Sequence, residues 1–317
     1  VDALDGWLEK APPWRKARQP DNEELRLNSA VALASVDRGK SYVSSSRFDG
    51  DEKIMEEDKI NAALWLRRPL LVTGAPGLGK SSLAYHLAYV LGLGEPMRWE
   101  INSRTTLANG LYQYHAVDHL REIQERKDSG NETSSIGEFI TLGPLGTAML
   151  PWKHPRVLLI DELDKASFDL PNDLLHIFEE GSFKIDELVR SHRIAHVVPH
   201  DASEAKKAKN DDTPYGPNRR VPVHGGVIRT WHHPVVVITS NGEREFPPAF
   251  RRRCVELKLD RPTQEHMEAI VKQQFSGQNF ESIEATDAWR NVFTNYETLE
   301  TAKVLRTLYE GLIKGGH

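Results

Sequence analysis

The chain has 317 residues, with 41 Lys and Arg against 46 Asp and Glu and a formal net charge of −5. That length suits two domains, or one α/β domain with a smaller one beside it, and the acidic balance gives no support to a nucleic-acid or membrane-surface protein. The single cysteine, Cys254, excludes an internal disulfide and fits a reducing cytosol; no apolar run approaches the ~20 residues that span a bilayer, and the acidic N-terminus lacks a signal-peptide core.

In chain order, residues 1–44 read as an N-terminal extension, with Leu4, Trp7 and Leu8 on a short amphipathic turn that Pro12 and Pro13 stop. Local packing is its expected fate. Residues 53–66 predict a helix, with Ile54, Ile60, Ala63 and Leu64 apolar. An apolar run over 69–73 predicts a buried strand. It leads into Gly74-Ala75-Pro76-Gly77-Leu78-Gly79-Lys80-Ser81, a complete G-x-x-x-x-G-K-[ST] loop. Residues 82–91 predict the helix that leaves the loop, with Leu83, Leu87 and Leu91 four residues apart and Gly92 and Gly94 closing it. Glycines let consecutive backbone N–H groups converge on one anion, and a helix N-terminus adds its dipole. Gly74 to Ser81, with Ser82, are therefore candidate nucleotide-binding residues: Lys80 for the β- and γ-phosphates, the Ser81 hydroxyl for Mg²⁺. A ligand-free Gly-rich turn is the rival, disfavoured by the Lys-Ser pair in register and the strand in front.

A second strand follows over 97–101. Residues 104–142 are less regular, with a helix over 116–127 and a polar tip over 128–135, and read as an insertion in the α/β pattern. Residues 156–160 predict a strand buried on both faces, ending in Asp161-Glu162-Leu163-Asp164-Lys165. Ligands bind at that edge of a parallel sheet, where Asp161 suits Mg²⁺ and Glu162 suits orienting and deprotonating an attacking water; a helix N-cap is the rival. A helix over 170–180 stops at Gly181. Residues 182–231 carry hairpin signals around a polar tip at 201–220. The strand over 234–239 ends in Ser240-Asn241-Gly242, where Asn241 is placed to position a lytic water. Arg251, Arg252 and Arg253 open the fifth strand, 254–259; they read either as a solvated basic cluster or as an arginine finger for a neighbour's γ-phosphate. Helical patterns over 263–275, 283–295 and 299–313 complete the chain. The pairs His115/His119 and His192/His196 lack the Glu of H-E-x-x-H and any Cys partner, so Mg²⁺ with nucleotide is the one metal expected.

Together these residues resemble an AAA+ ATPase of the MoxR group over roughly residues 50–313. Gly74 to Ser81 match Walker A; Val157 to Glu162, with Asp164 and Lys165, match Walker B; Asn241 matches sensor 1; and Phe246 to Cys254 match the segment that ends in the arginine finger. Gly143-Pro144-Leu145 and Asn172-Asp173-Leu174-Leu175 resemble the MoxR group more than AAA+ proteins at large. The resemblance implies an α/β core over 45–261, with a five-stranded parallel sheet in order 5-1-4-3-2, and a C-terminal helical lid over 262–317. It also implies an insert in helix 2, which fits 104–142, a β-hairpin before sensor 1, which fits 182–231, and a ring, usually hexameric. MoxR-like proteins are thought to act as chaperones with partners that carry von Willebrand factor A domains. The family's finger segment usually reads Leu-Asp-Arg-Phe where this chain has Arg251-Arg252-Arg253-Cys254; aligning the last two residues makes Arg253 the finger, with Arg252 as the alternative. Sensor 2 stays open between Lys303 and Arg306. The expectation is a soluble, cytoplasmic, Mg²⁺-dependent ATPase that remodels or activates a partner protein. The rivals are an ATP-switched assembly scaffold with little turnover and a DNA-directed motor.

Overall fold

The computed structural model describes residues 7, 8, 10, 12, 39, 42, 46–49, 52–129, 135–189, 194–200, 220–274 and 304. Five strands form one parallel sheet: β1 (Leu70–Thr73), β2 (Met97–Glu100), β3 (Val157–Asp161), β4 (Val235–Ser240) and β5 (Val255–Lys258). They lie in the order β5-β1-β4-β3-β2, every pairing parallel. The central strands β3 and β4 are buried at every position, as their unbroken apolar runs require. Edge strand β2 alternates instead: Met97 and Trp99 are buried, Arg98 and Glu100 exposed.

Alternation along the strands divides the core into two layers. Leu71, Trp99, Leu158, Ile160 and Ile238 belong to one; Leu70, Val72, Val157, Leu159 and Val237 belong to the other. Helices α1 (Glu56–Leu66) and α2 (Lys80–Leu91) supply Ile60, Ala63, Leu83, Ala84 and Leu87 to the second layer. Helix α3 (Ala116–Ser129) lies within the insertion, and α4 (Leu170–Glu180) buries Leu174, Ile177 and Phe178 in the first layer. Helix α5 (Gln264–Gln274) begins the region expected to be a lid; apart from buried Val304, the rest of that region, with Lys303 and Arg306, lies outside the described residues.

Two expected segments take a different form. Residues 53–55, read as the start of a helix, belong instead to a strand, Glu52–Met55, that pairs with Ser46–Asp49, and α1 begins only at Glu56. Glu56, Glu57 and Asp58 fill its first turn, where the helix dipole favours acids. The insertion contains its own antiparallel pair, Tyr112–Tyr114 with Ile140–Leu142, which brackets α3. In the segment before β4, Ser182–Lys184 pairs with Val227–Arg229, and Ile194–Val197 pairs with Val221–His224. The tip expected there lies outside the described residues except for Arg220, which is ion-paired to Glu138 at 2.7 Å. In the N-terminal extension, Trp7 stacks under the Arg67 guanidinium, and the Gly39 carbonyl lies 2.9 Å from His86 Nδ1.

The insertion is locked to the short helix Pro144–Ala148 by close backbone approach. A Cβ on Gly146 would lie 2.0 Å from the carbonyl oxygen of Leu111. Gly146→Ala should therefore cost about 1–3 kcal/mol, the scale of overpacking a core, measured by urea denaturation. An unchanged midpoint would mean that residues 107–111 yield freely at this contact.

Candidate nucleotide site

The loop between β1 and α2 turns on glycines that its geometry requires. Gly74 has φ 152°, and a Cβ there would lie 2.4 Å from the Leu259 carbonyl oxygen; Gly79 caps α2 in the left-handed region at φ 81°. Lys80 folds back over the loop. Its Nζ donates to Gly74 O at 2.8 Å, to Ala75 O at 2.9 Å and to Asn241 Oδ1 at 2.7 Å. Burial lowers its pKa, and attraction by Asp164, Glu162 and Asp161 opposes that shift.

Asp161 falls on the same face of β3 as Val157 and Leu159, the face that α2 covers. Its Oδ1 accepts from Ser81 Oγ and from Thr239 Oγ1, each at 2.7 Å. Its Oδ2 accepts from Arg98 Nη2 at 2.9 Å and Nε at 3.3 Å. Burial pushes its pKa up, but hydrogen bonds from Ser81, Thr239 and Arg98, together with the Arg98 charge, outweigh it and hold the carboxyl below its ordinary value. Stability from these contacts is thus present above the unfolded carboxyl pKa and is lost as pH falls through the lower folded value.

Glu162 follows in the left-handed region, φ 62° and ψ 49°, a strain of ~1–3 kcal/mol for a non-glycine residue. Its N–H donates to Thr239 Oγ1 at 2.9 Å, so one hydroxyl ties both Asp161 and Glu162 to β4. Glu162 Oε1 accepts from Asn241 Nδ2 at 3.3 Å and Oε2 from Lys165 Nζ at 2.6 Å. The Asn241 amide thus bridges, with its oxygen on the Lys80 cation and its nitrogen on the Glu162 carboxylate. Buried Asp164 fixes the turn that carries it: Oδ2 accepts from the N–H of Asn241 at 2.9 Å and of Glu243 at 3.1 Å.

Lys80, Ser81, Asp161, Glu162, Thr239 and Asn241 line a cleft of about 480 Å³ at the C-terminal edge of the sheet, together with Pro76, Gly77, Gly79, Ser82, Arg98 and Asn102. Leu78 packs against the second core layer instead. Arg251, Arg252 and Arg253 do not line this cleft. Buried Phe250 anchors their turn; Arg251 is bidentate on Glu256 at 2.8 Å, and Arg253 pairs with Glu179 of α4. The Arg252 carbonyl accepts from Arg68, and its exposed guanidinium has no partner among the described residues. His115 meets Thr141 and His119 meets Tyr114, while His192 lies outside the described residues. Sequence reasoning missed Thr239 and Arg98 as site residues. Their available signals were a hydroxyl ending an apolar run and a charge alternating with Met97 and Trp99.

Asp164→Ala leaves two turn N–H groups without an acceptor and should cost ~1–3 kcal/mol of stability. Asp164→Asn keeps a carbonyl oxygen and should recover most of it. Equal denaturation midpoints for Ala and wild type would show that the turn is held elsewhere.

The family model for the AAA domain (dynein-related subfamily) matches residues 69–254. No curated protein matches the chain. The matched span runs from the residue before β1 to the residue before β5, takes in Lys80, Asp161, Glu162 and Asn241, and covers more than half of the sequence. The chain therefore belongs to the dynein-related subfamily of AAA domains and is an AAA+ ATPase built on a P-loop nucleotide-binding core.

Proposed function

We propose that this AAA+ protein is a Mg²⁺-dependent ATPase of MoxR-like type that works in a homo-oligomeric ring, a hexamer, and uses hydrolysis to remodel or activate a partner protein. The observation that carries the reading is the meeting of Lys80, Ser81, Asp161, Glu162 and Asn241 along one edge of one cleft. The proposed boundaries are an extension over 1–44, a core over 45–261 and a lid over 262–317. A partner carrying a von Willebrand factor A domain and a cytoplasmic location complete the proposal. Among the described residues no helix is long and apolar enough to cross a membrane.

The donor set suits a hard cation. The Ser81 hydroxyl and the Asp161 carboxylate share one hydrogen bond at 2.7 Å, and both are oxygen ligands of the kind Mg²⁺ takes. Ser81 and Asp161 would hold the ion, which when bound neutralises charge on the β- and γ-phosphates. The loop from Gly74 to Gly79 cradles the phosphates through its backbone, and Lys80 exchanges its carbonyl partners for phosphate oxygens. Glu162 accepts the proton of the attacking water, and Asn241 holds that carboxylate and the water in line. The Lys165 contact to Glu162 is an exposed ion pair, weak enough to open for the water.

The proposed arginine finger acts across a subunit interface. Among the described residues Arg252 has no guanidinium contact to break, whereas Arg253 must first leave Glu179 and Arg251 must leave Glu256. Arg252 is therefore the first choice, ahead of the Arg253 favoured by alignment.

Glu162→Gln should bind ATP with near-normal affinity and hydrolyse it at least ~100-fold more slowly, the scale for a lost general base. Loss of ATP binding would assign Glu162 to structure. Wild-type protein that assembles with ATP and does not turn over would favour the switched scaffold.

Arg252→Ala should lose hydrolysis by roughly tenfold or more, given the 10³–10⁵ measured for fingers in GTPases, while Arg253→Ala retains most of it. Mixing Arg252→Ala with Lys80→Ala protein should restore activity at interfaces that pair an intact finger with an intact loop. The reverse ranking of the two single variants would move the role to Arg253. No recovery in mixed rings confirmed by native mass spectrometry would remove the trans finger.

A further inference from the structure

Arg98 has no role in the chemistry proposed above, yet it holds the carboxylate on which that chemistry depends. The β2–β3 register sets Glu100 opposite Asp161, so Arg98, two residues back on the same face, reaches the same carboxylate. Its Nη2 and Nε take Asp161 Oδ2 at 2.9 and 3.3 Å, while Ser81 and Thr239 take Oδ1. Both oxygens of Asp161 are thereby engaged. The two partners differ in exposure: the Asp161 side chain is 10% exposed, that of Arg98 46%. Arg98 is the member that can leave.

It also has somewhere to go. Arg98 Nη1 lies 3.0 Å from Glu100 Oε1, an exposed carboxylate on the same strand. A divalent cation held by Ser81 and Asp161 would stand beside this permanently charged guanidinium, and the two repel. We infer that Arg98 is a tethered counter-ion that occupies Asp161 in metal-free protein and competes there with Mg²⁺, so that it sets the Mg²⁺ concentration at which nucleotide is loaded. When Mg²⁺ binds, the guanidinium shifts its weight onto Glu100. The inference rests on the reading of Asp161 as a metal-holding residue; it makes Arg98 a positioning residue.

The test uses the full chain at fixed ionic strength, with wild type, Arg98→Gln and Glu100→Gln. A fluorescent ATP analogue is titrated first in EDTA and then across a Mg²⁺ series, and melting temperature is read under both conditions. Arg98→Gln should melt below wild type in EDTA and approach it in saturating Mg²⁺ and ATP. Its Mg²⁺ midpoint for nucleotide binding should fall by roughly threefold or more, within the range set by a partly exposed ion pair. Glu100→Gln, which keeps Arg98 but removes its alternative partner, should raise the midpoint; this arm decides the matter if Arg98→Gln does not fold. A midpoint unchanged or raised in Arg98→Gln, or unchanged or lowered in Glu100→Gln, overturns the inference. Loss of analogue binding by Arg98→Gln in EDTA also overturns it, by making Arg98 a phosphate ligand. Wild-type protein that binds the analogue while its variants show no shift leaves the nucleotide-site reading intact; wild type that binds nothing removes both.

Discussion

The Asp161 carboxylate receives the first hydroxyl of α2, a hydroxyl from β4 and a guanidinium from β2. Three elements distant in sequence are thus fixed relative to one buried charge. Such a charge is tolerated only when its lone pairs are filled by good donors, and here the donors are spread over the parts of the sheet edge that must stay in register. Removing one donor would leave a buried carboxylate short of partners, so the arrangement holds together as a unit. The parallel register makes it possible: β2 brings Arg98 within reach from one side of β3, and β4 sets Thr239 level with Asp161 on the other.

The strain at Glu162 belongs to the same network. A left-handed backbone at a non-glycine residue persists only where its surroundings over-determine it. Here the Thr239 hydroxyl takes the Glu162 N–H while donating to Asp161, and Asn241 and Lys165 hold the side chain. Asp164 completes the frame from below by fixing the turn after β4. This edge of the cleft therefore has its geometry set by β3 and β4, both buried at every position, while the ion pairs of Lys165 with Glu162 and of Arg98 with Glu100 are exposed.

Local pattern carried much of this into the sequence. The loop from Gly74 to Ser81 and the acidic end of β3 are contiguous motifs, and the runs in β3 and β4 are apolar because both faces are covered. What depended on pairing was not legible. Residues 52–55 have no periodicity that separates a strand from a helix start, and their partner at 46–49 decides. The three-residue strands at 112–114 and 140–142 are too short to announce themselves, and a 14-residue helix lies between them. Thr239 and Arg98 acquire their roles only through the registers of β4 and β2 on β3. The ranking of Arg251, Arg252 and Arg253 rests on which carboxylates lie across from them, Glu256 and Glu179, and no linear motif records that.

The central claim is that Lys80 and the loop bind the β- and γ-phosphates of a nucleotide. Calorimetric titration of the unmodified protein with ATP, ADP and AMP in Mg²⁺ tests it directly. Lys80 donates charged hydrogen bonds, worth about 1.5–3 kcal/mol each, and AMP offers no β-phosphate to receive them. ATP and ADP should bind at least ~100-fold more tightly than AMP. Equal affinity for all three would contradict it.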